Sequence, residues 1–301
     1  MNEFLLLVGV VAVSFSGPFN ALAVQSGLDG YVLAALRLTS ASLVLLSLPG
    51  VFRNLRLLRP HVRSLLAGGV FLGGHFALWT GAFNFTSLSS AMIFLCAQPL
   101  LSIFLAKDRS ERITPALVGG LVLGTLGMLM LGAGDLREQG IRDVMGDLMV
   151  VLAGAAIVRY QYHTRAVSRI IPIWAFNCAV WGVAGLTVFL TLGLLVPSGW
   201  AKMSVPSQEA VLAIAGLVGV CTYLGHGCFN YVMPRIKILL LNLAILLEPV
   251  IGIAIGRAMG LEKQWPSGWR LAGALLILLG VSWALMSEGL AKLRERPKGL
   301  E

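Results

Sequence analysis

Residues 172–196 read PIWAFNCAVWGVAGLTVFLTLGLLV, and no charged side chain interrupts them. An α-helix rises about 1.5 Å per residue, so these residues would form a helix about 37 Å long. The hydrocarbon core of a bilayer is about 30 Å thick, and about 20 apolar residues cross it as a helix. This stretch therefore predicts a helix that spans a membrane.

Nine further apolar runs of similar length cover most of the chain. The ten predicted spans are residues 3–24, 30–49, 64–85, 87–106, 114–133, 146–164, 172–196, 209–232, 238–258 and 269–287. The composition agrees, because 57% of the 301 residues are hydrophobic and only 12% are charged, whereas soluble domains carry roughly 25% charged residues. We predict an all-α integral membrane protein with ten transmembrane helices.

The first apolar run also has one feature of a cleaved signal peptide. It ends in Ala21-Leu22-Ala23, and small residues at this spacing are typical of a signal-peptidase site. However, Met1-Asn2-Glu3 carries no basic side chain, whereas a signal peptide begins with a positively charged segment. We therefore interpret residues 3–24 as the first span.

Basic side chains are distributed unevenly between the predicted loops. With ten spans, both chain ends lie on one side of the membrane, where the loops and the C-terminal tail hold 15 lysines and arginines against 6 on the opposite side. Cytoplasmic loops are enriched in these residues, so we predict a multi-pass protein of the cell inner membrane with cytoplasmic N- and C-termini. Nucleic-acid-binding proteins gather basic residues on a solvated patch, so the net charge of +9 indicates no nucleic-acid partner.

The cysteines indicate neither a disulfide framework nor a metal site. All four lie within apolar runs, and no two of them form a CxxC pair: Cys96, Cys178, Cys221 and Cys228. We expect them to be reduced and buried as small hydrophobic side chains.

Prolines and glycines predict how the spans bend and pack. Pro18, Pro99 and Pro249 lie inside predicted spans, where a proline removes a backbone donor and kinks the helix. Glycines four residues apart share one helix face and let two backbones approach closely. Such glycines are Gly69 and Gly73, Gly120 and Gly124, and Gly252, Gly256 and Gly260.

The two halves of the chain resemble each other at an offset of about 150 residues. Gln98-Pro99 in the fourth predicted span corresponds to Glu248-Pro249 in the ninth. Gly120 and Gly127 in the fifth span correspond to Gly273 and Gly280 in the tenth. The correspondence indicates an internal repeat.

Each half contains five predicted spans, an odd number, so the second copy must start from the opposite side of the membrane. We therefore predict two inverted five-helix repeats, residues 1–140 and 141–290, followed by a basic cytoplasmic tail, residues 291–301. Many secondary transporters use inverted repeats to expose a central site to alternate sides of the membrane.

Several short stretches resemble a known family. His75-Phe76-Ala77-Leu78-Trp79, Thr86-Ser87-Leu88-Ser89-Ser90-Ala91 and Gln98-Pro99 resemble the third and fourth spans of EamA-type members of the drug/metabolite transporter (DMT) superfamily. Gly225-His226, Phe229-Asn230-Tyr231 and Glu248-Pro249 resemble the matching part of the second half, and Arg37 lies where the family often carries an arginine. The resemblance covers essentially the whole chain and implies ten helices in two inverted repeats, with a substrate cavity between them.

One region departs from the family pattern. The sixth span of the family is mostly apolar and aromatic there, whereas this chain reads Val158-Arg159-Tyr160-Gln161-Tyr162-His163-Thr164-Arg165. The polar cluster indicates a specialised cavity, so a substrate cannot be transferred from better-known relatives.

Two arginines lie within predicted spans. Ionisable groups inside a membrane are costly and usually face a cavity or a partner. Arg37 and Arg159 are therefore candidates to bind a carboxylate or another anion of the substrate, since the guanidinium offers a planar fork of donors. The alternative for Arg37 is a structural contact with a carbonyl or with Glu248.

Three further polar side chains are candidates for the substrate site. Glu248, the one carboxylate near the middle of a predicted span, suits proton coupling or recognition of a cation; the alternative is a structural acid beside Pro249. Gln98 is its neutral counterpart in the first half. His75 is a candidate for substrate binding or proton transfer, and the alternative is a histidine satisfied within the core.

Aromatic side chains complete the predicted site. Trp79, Tyr160 and Tyr223 lie on the third, sixth and eighth predicted spans, near the polar candidates. Aromatic walls with a few polar groups are typical of ligand cavities. The alternative for each residue is ordinary packing or contact with lipid.

These features predict a secondary active transporter that moves a small polar metabolite, such as an amino acid or a related carboxylate, by alternating access. Protons are the candidate coupling ion, and the oligomeric state stays open. A channel or lipid scramblase is the alternative, followed by a membrane enzyme. The sequence has no HExxH, GxSxG or P-loop motif, so we predict no enzyme, no cofactor and no metal.

Overall fold

A computed structural model gives the structure of residues 1–86, 88–95, 97–105, 113–132, 141–196, 199–203, 205–261 and 268–294. These ranges are mostly helical and contain no strand. The α-helices are α1 Asn2–Val13, α2 Ser16–Gln25, α3 Gly30–Leu46, α4 Pro49–Asn54, α5 Val62–Ala82, α6 Leu88–Leu95, α7 Gln98–Phe104, α8 Pro115–Gly132, α9 Ile141–Thr164, α10 Val167–Ile170, α11 Ile173–Leu195, α12 Gln208–Gly216, α13 Gly227–Val232, α14 Ile238–Ala244, α15 Leu247–Ala258 and α16 Gly268–Arg294. A π-helix, Leu217–His226, joins α12 to α13.

Six helical segments are long and apolar enough to cross a membrane. They are Asn2–Gln25, Pro49–Ala82, Val144–Thr164, Ile173–Leu195, Gln208–Arg235 and Ile238–Ala258. Shorter apolar helices are Gly30–Leu46, Pro115–Gly127 and Leu275–Ala284. The prediction of an all-α membrane protein is confirmed, and the count of ten spans stays a prediction.

Some sequence predictions fall outside the described residues. These are the state of Cys96, the boundary between the two predicted halves at residue 140, and residues 295–301 of the predicted tail. The other three cysteines are free; Cys178 and Cys221 are buried, and Cys228 is half-buried.

The three prolines inside predicted spans interrupt their helices, as predicted. Helix α1 ends at Val13, α6 at Leu95 and α14 at Ala244, each four or five residues before a proline. The proline ring collides with the carbonyl four residues earlier, so the helix cannot continue regularly through that point. The interruptions before Pro99 and Pro249 place Gln98 and Glu248 in the first turns of α7 and α15.

Helices α8 and α16 cross at the predicted glycines. A Cβ atom added at Gly120 would lie 2.7 Å from the carbonyl oxygen of Gly280, and one at Gly127 would lie 2.5 Å from that of Gly273. The earlier glycine of α8, Gly120, thus meets the later glycine of α16, Gly280, so the two helices run antiparallel. Close backbone packing, which the glycine spacing predicted for Gly120, is present there.

Replacing Gly120 with alanine is expected to lower the free energy of unfolding by about 1–3 kcal/mol, the usual range for overpacking. The added methyl would press against the Gly280 carbonyl, and neither backbone can move without shifting its helix. The measurement is thermal unfolding in detergent.

Gly74→Ala is the matched control, because a Cβ atom at Gly74 meets no atom within 4 Å. We expect this variant to unfold at the wild-type temperature or slightly above it. Equal melting temperatures for the Gly120 and Gly74 variants would contradict the close crossing of α8 and α16.

Candidate functional site

A cavity lies where helices of the two predicted halves meet. Its free space of about 40 Å³ is enough for about three water molecules. Five of the eight predicted site residues line it: His75, Trp79, Gln98, Tyr160 and Glu248. In this conformation the cavity is too small for a solute of amino-acid size.

Glu248 is the charged group that faces this cavity. Its side chain is only 6% exposed, and it lies in the first turn of α15, where the positive end of the helix dipole stabilises a negative charge. No described residue forms a hydrogen bond or an ion pair with its carboxylate. A buried carboxylate without a partner is costly, so the position suits a cationic ligand or a proton.

Arg37 is fully buried behind the cavity wall. Its Nε donates a hydrogen bond to Thr222 Oγ1 at 2.8 Å, and its Nη1 donates one to Ser16 Oγ at 3.2 Å. The guanidinium carbon lies 4.5 Å from the centroid of the Phe76 ring. Phe76 and Ser16 line the cavity, whereas Arg37 does not. Its Nη2 has no hydrogen-bond partner among the described residues.

The π-helix supplies the hydroxyl that binds Arg37. Thr222 Oγ1 donates to the carbonyl of Leu217, five residues earlier, at 2.8 Å, and so presents a lone pair to the guanidinium. Segments of π-helix occur frequently at functional sites. The same segment ends at His226, which also lines the cavity.

Three amide side chains form a buried triad beside the cavity. Gln98 Nε2 donates to Asn242 Oδ1 at 2.6 Å, and Gln161 Nε2 donates to the same oxygen at 2.9 Å. Asn242 Nδ2 returns a bond to Gln161 Oε1 at 2.9 Å. The triad joins α7 in the first half to α9 and α14 in the second.

A second chain of polar groups runs through Tyr160. Its hydroxyl donates to Asn230 Oδ1 at 2.7 Å, and Asn230 Nδ2 donates to Asn177 Oδ1 at 2.8 Å. These bonds connect α9, α13 and α11. Because buried polar groups are costly when unpaired, this network fixes the side chain of Tyr160 at the cavity wall.

The histidines of the cavity have different surroundings. His75 Nδ1 lies 2.9 Å from the carbonyl oxygen of Ala153; since a carbonyl only accepts, Nδ1 carries the hydrogen. The ring of His226 packs edge-on against Phe76 and Phe229, with centroid distances of 5.2 and 6.0 Å. Both rings therefore have an aromatic environment with a ring nitrogen left for a ligand.

Two of the predicted site residues lie away from the cavity. The Arg159 guanidinium carbon is 5.8 Å from the centroid of the Phe71 ring. The Tyr223 hydroxyl donates to the carbonyl of Ala41 at 2.9 Å, and its ring lies beside Trp181. Roles for Arg159 and Tyr223 in binding stay predictions.

Sequence reasoning missed several buried polar residues, among them Asn177, Asn242, Asp147 and Thr222. Asn177 and Asn242 are single amides inside long apolar runs, and that isolation was the available signal. Asp147, near the start of α9, accepts hydrogen bonds from the hydroxyls of Thr86 and Ser90, both at 2.8 Å. This second buried carboxylate lies outside the cavity and joins α9 to the start of α6.

The chain resembles known membrane transporters. Residues 1–133 match the model of the EamA-like transporter family. The chain is 26% identical over 294 residues to a "Probable amino-acid metabolite efflux pump" of Salmonella typhimurium, and the match covers 93% of each protein. These two matches indicate a transporter of small metabolites rather than an enzyme.

A solved crystal structure has the same fold. Its TM-score to this protein is 0.73 at 23% sequence identity, and the match covers 96% of this chain and 98% of that one. The likeness at this level of identity concerns the fold. The match over residues 1–133 agrees with the family that the short sequence stretches predicted, and the chain is a multi-pass membrane protein.

Proposed function

We propose that the protein is a secondary active transporter that carries an amino acid, or a related metabolite with an amine and a carboxylate, through the central cavity. The observation that carries the proposal is Glu248, a buried carboxylate that faces the cavity with no partner among the described residues. The name of the Salmonella relative supports an amino-acid metabolite as the solute and export as the direction.

Glu248 would bind the ammonium group of the solute. Trp79 and Tyr160 line the same cavity, and aromatic rings attract organic cations through their electron-rich faces. Arg37 is close enough to Glu248 to attract it, although the two form no ion pair within 4.0 Å. Binding of an ammonium group would therefore give the carboxylate the direct partner that it lacks.

The carboxylate of the solute would bind the spare Nη2 donor of Arg37. Phe76 and Ser16 separate Arg37 from the cavity in the present conformation. We propose that the guanidinium becomes accessible when the cavity expands to accept the solute. Gln98 and His75 would supply further polar contacts.

We propose that transport proceeds by alternating access between two inverted five-helix repeats, with ten spans in all. The contacts support this arrangement, because α3 packs on α11 and α8 on α16, which are corresponding spans of the two halves. The packing of α5 on α9 is matched by that of the π-helix on α1. Exchanging the halves thus leaves the first two contacts unchanged and converts the last two into each other.

The two polar networks would form the cytoplasmic gate. With the proposed cytoplasmic termini in the inner membrane, Gln161, Asn242 and Asn177 lie near the cytoplasmic ends of their spans. The bonds of the amide triad and of Tyr160 therefore lie between the cavity and the cytoplasm. Opening the cavity to that side requires these bonds to break.

Protons are the coupling ion that we propose. Glu248 can hold either a proton or the ammonium group of the solute, because each neutralises the same carboxylate. Such competition couples the movement of a proton in one direction to the movement of solute in the other. One copy of the chain suffices for this scheme, since it contributes both halves of the cavity.

The proposal is tested by thermal unfolding of the purified protein with three sets of compounds: amino acids, the amines formed by removing their carboxylate, and the acids that lack the amine. A ligand that binds the folded state raises the melting temperature. We expect the largest rise with an amino acid, a smaller one with its amine, and none with the acid. A rise with the acid equal to that with the amino acid would contradict recognition by Glu248.

A further inference from the structure

A second cavity lies at the end of α9, away from the central one. Its free volume is about 520 Å³, many times that of the central cavity. Its lining includes Tyr162, His163, Arg165, Arg169, Ile170 and Pro234. It has two arginines and no acidic side chain among the described residues that line it, so its walls attract anions.

The two arginines differ in how firmly they are held. Arg165 Nη2 donates to the carbonyl of Ile236 at 2.7 Å, which fixes this guanidinium at the cavity wall and ties α9 to the segment before α14. Arg169, on α10, is exposed, and its side chain has no hydrogen bond to another described residue. One positioned and one free guanidinium can together bind the oxygens of a phosphate group, which arginine recognises with paired hydrogen bonds.

The cavity also borders apolar surface. Ile170, in its wall, is 65% exposed. The Tyr162 hydroxyl donates to the carbonyl of Ser102 at 3.4 Å, so the end of α7 lies beside the cavity, and there Phe104 is 81% exposed. Exposed apolar side chains next to arginines and a tyrosine are typical of the part of a membrane protein that lies at the level of the lipid headgroups.

We propose that this cavity binds the phosphate group of an anionic lipid through Arg165 and Arg169. The acyl chains lie along the apolar surface of Ile170 and Phe104. In the proposed orientation the cavity opens on the cytoplasmic side, where basic pockets between spans bind such headgroups. The inference depends on that orientation but not on the identity of the transported solute.

A bound lipid would also stabilise the closed gate. The side chain of Arg165 binds the carbonyl of Ile236, two residues before the start of α14, which carries Asn242 of the amide triad. A phosphate that orders Arg165 therefore reinforces the contact between α9 and α14.

The test measures the melting temperature of the purified full chain in a mild uncharged detergent. The probes are short-chain phosphatidylglycerol, inorganic phosphate, and diacylglycerol, which lacks the phosphate. We expect phosphatidylglycerol to raise the melting temperature by several degrees, inorganic phosphate to act only at much higher concentration, and diacylglycerol to have no effect. In Arg169→Gln, the phosphatidylglycerol concentration that gives half the rise should increase about tenfold.

Arg53→Gln is the control, since Arg53 is an exposed arginine on the same proposed side and lies outside the cavity. Arg165→Lys is the second variant, because it keeps the charge while removing the paired donors. Equal phosphatidylglycerol responses of Arg169→Gln, Arg53→Gln and the wild type would overturn the site. Inorganic phosphate acting at the same concentration as phosphatidylglycerol would overturn the assignment to a lipid.

Discussion

Replacing Glu248 with glutamine is expected to abolish transport while leaving the fold intact. The carboxylate faces the central cavity and has no hydrogen bond to a described residue, so glutamine can occupy the same space without breaking a contact. Removing one partner of a buried ion pair costs about 3–5 kcal/mol, which corresponds to a loss of solute affinity of at least a hundredfold. The measurement is the initial rate of amino-acid transport in proteoliposomes.

The stability of this variant distinguishes a functional acid from a structural one. Glutamine removes the cost of a buried charge, so we expect the melting temperature of Glu248→Gln to equal or exceed that of the wild type. A structural acid would instead leave the variant less stable. The combination of lost transport and retained stability is the predicted signature.

Glu209→Gln is the matched control for this change. Glu209 is an exposed carboxylate in the first turn of α12, and it does not line the cavity. We expect wild-type transport from this variant. Transport by Glu248→Gln at the rate of the Glu209 variant would exclude a direct role of Glu248.

Replacing Asn242 with leucine is expected to destabilise the protein and open the proposed cytoplasmic gate. Asn242 makes three buried hydrogen bonds to Gln98 and Gln161. Leucine has a similar size but leaves both glutamine amides unpaired, at about 1–3 kcal/mol for each buried unsatisfied group. The melting temperature should fall by several degrees.

Labelling with a membrane-impermeant thiol reagent measures the opening. A cysteine introduced at Ile157, which lines the central cavity, is placed in a chain whose four native cysteines are replaced. We expect this cysteine to react faster from the cytoplasmic side when Asn242 is leucine. Asn54→Leu is the control, because Asn54 bonds only the nearby Gly50 carbonyl near the surface. Unchanged labelling together with unchanged stability would contradict the gate.

Much of the fold was predictable because bilayers impose a simple rule on sequence. In a bilayer, the backbone of an apolar run such as residues 172–196 must satisfy its own hydrogen bonds, and a spanning helix does so. The positions of Pro99 and Pro249 predicted the helix interruptions, since proline acts on its own helix. The glycine spacing predicted the face of α8 at Gly120 that packs closely for the same reason, since the signal lies within one helix, but it did not identify α16 as the partner.

The candidate site was predictable only in part, because it depends on contacts between distant segments. Gln98 and Asn242 are 144 residues apart in the chain, and no local pattern links them. Apolar spans also carry little information about which side of the helix faces a cavity. The sequence therefore could not show that Tyr160 lines the cavity while Arg159, its neighbour, does not. Arg37 lies within reach of the cavity but behind Phe76, a detail set by tertiary packing.

Counterflow in proteoliposomes tests most directly whether this protein is a carrier with one central site exposed to each side in turn. The vesicles are loaded with the unlabelled amino acid that gives the largest thermal shift, and the labelled form is added outside. A carrier predicts transient accumulation of label above its external concentration in loaded vesicles, with an initial rate that saturates. Equal uptake by loaded and empty vesicles, rising in proportion to concentration, would contradict alternating access.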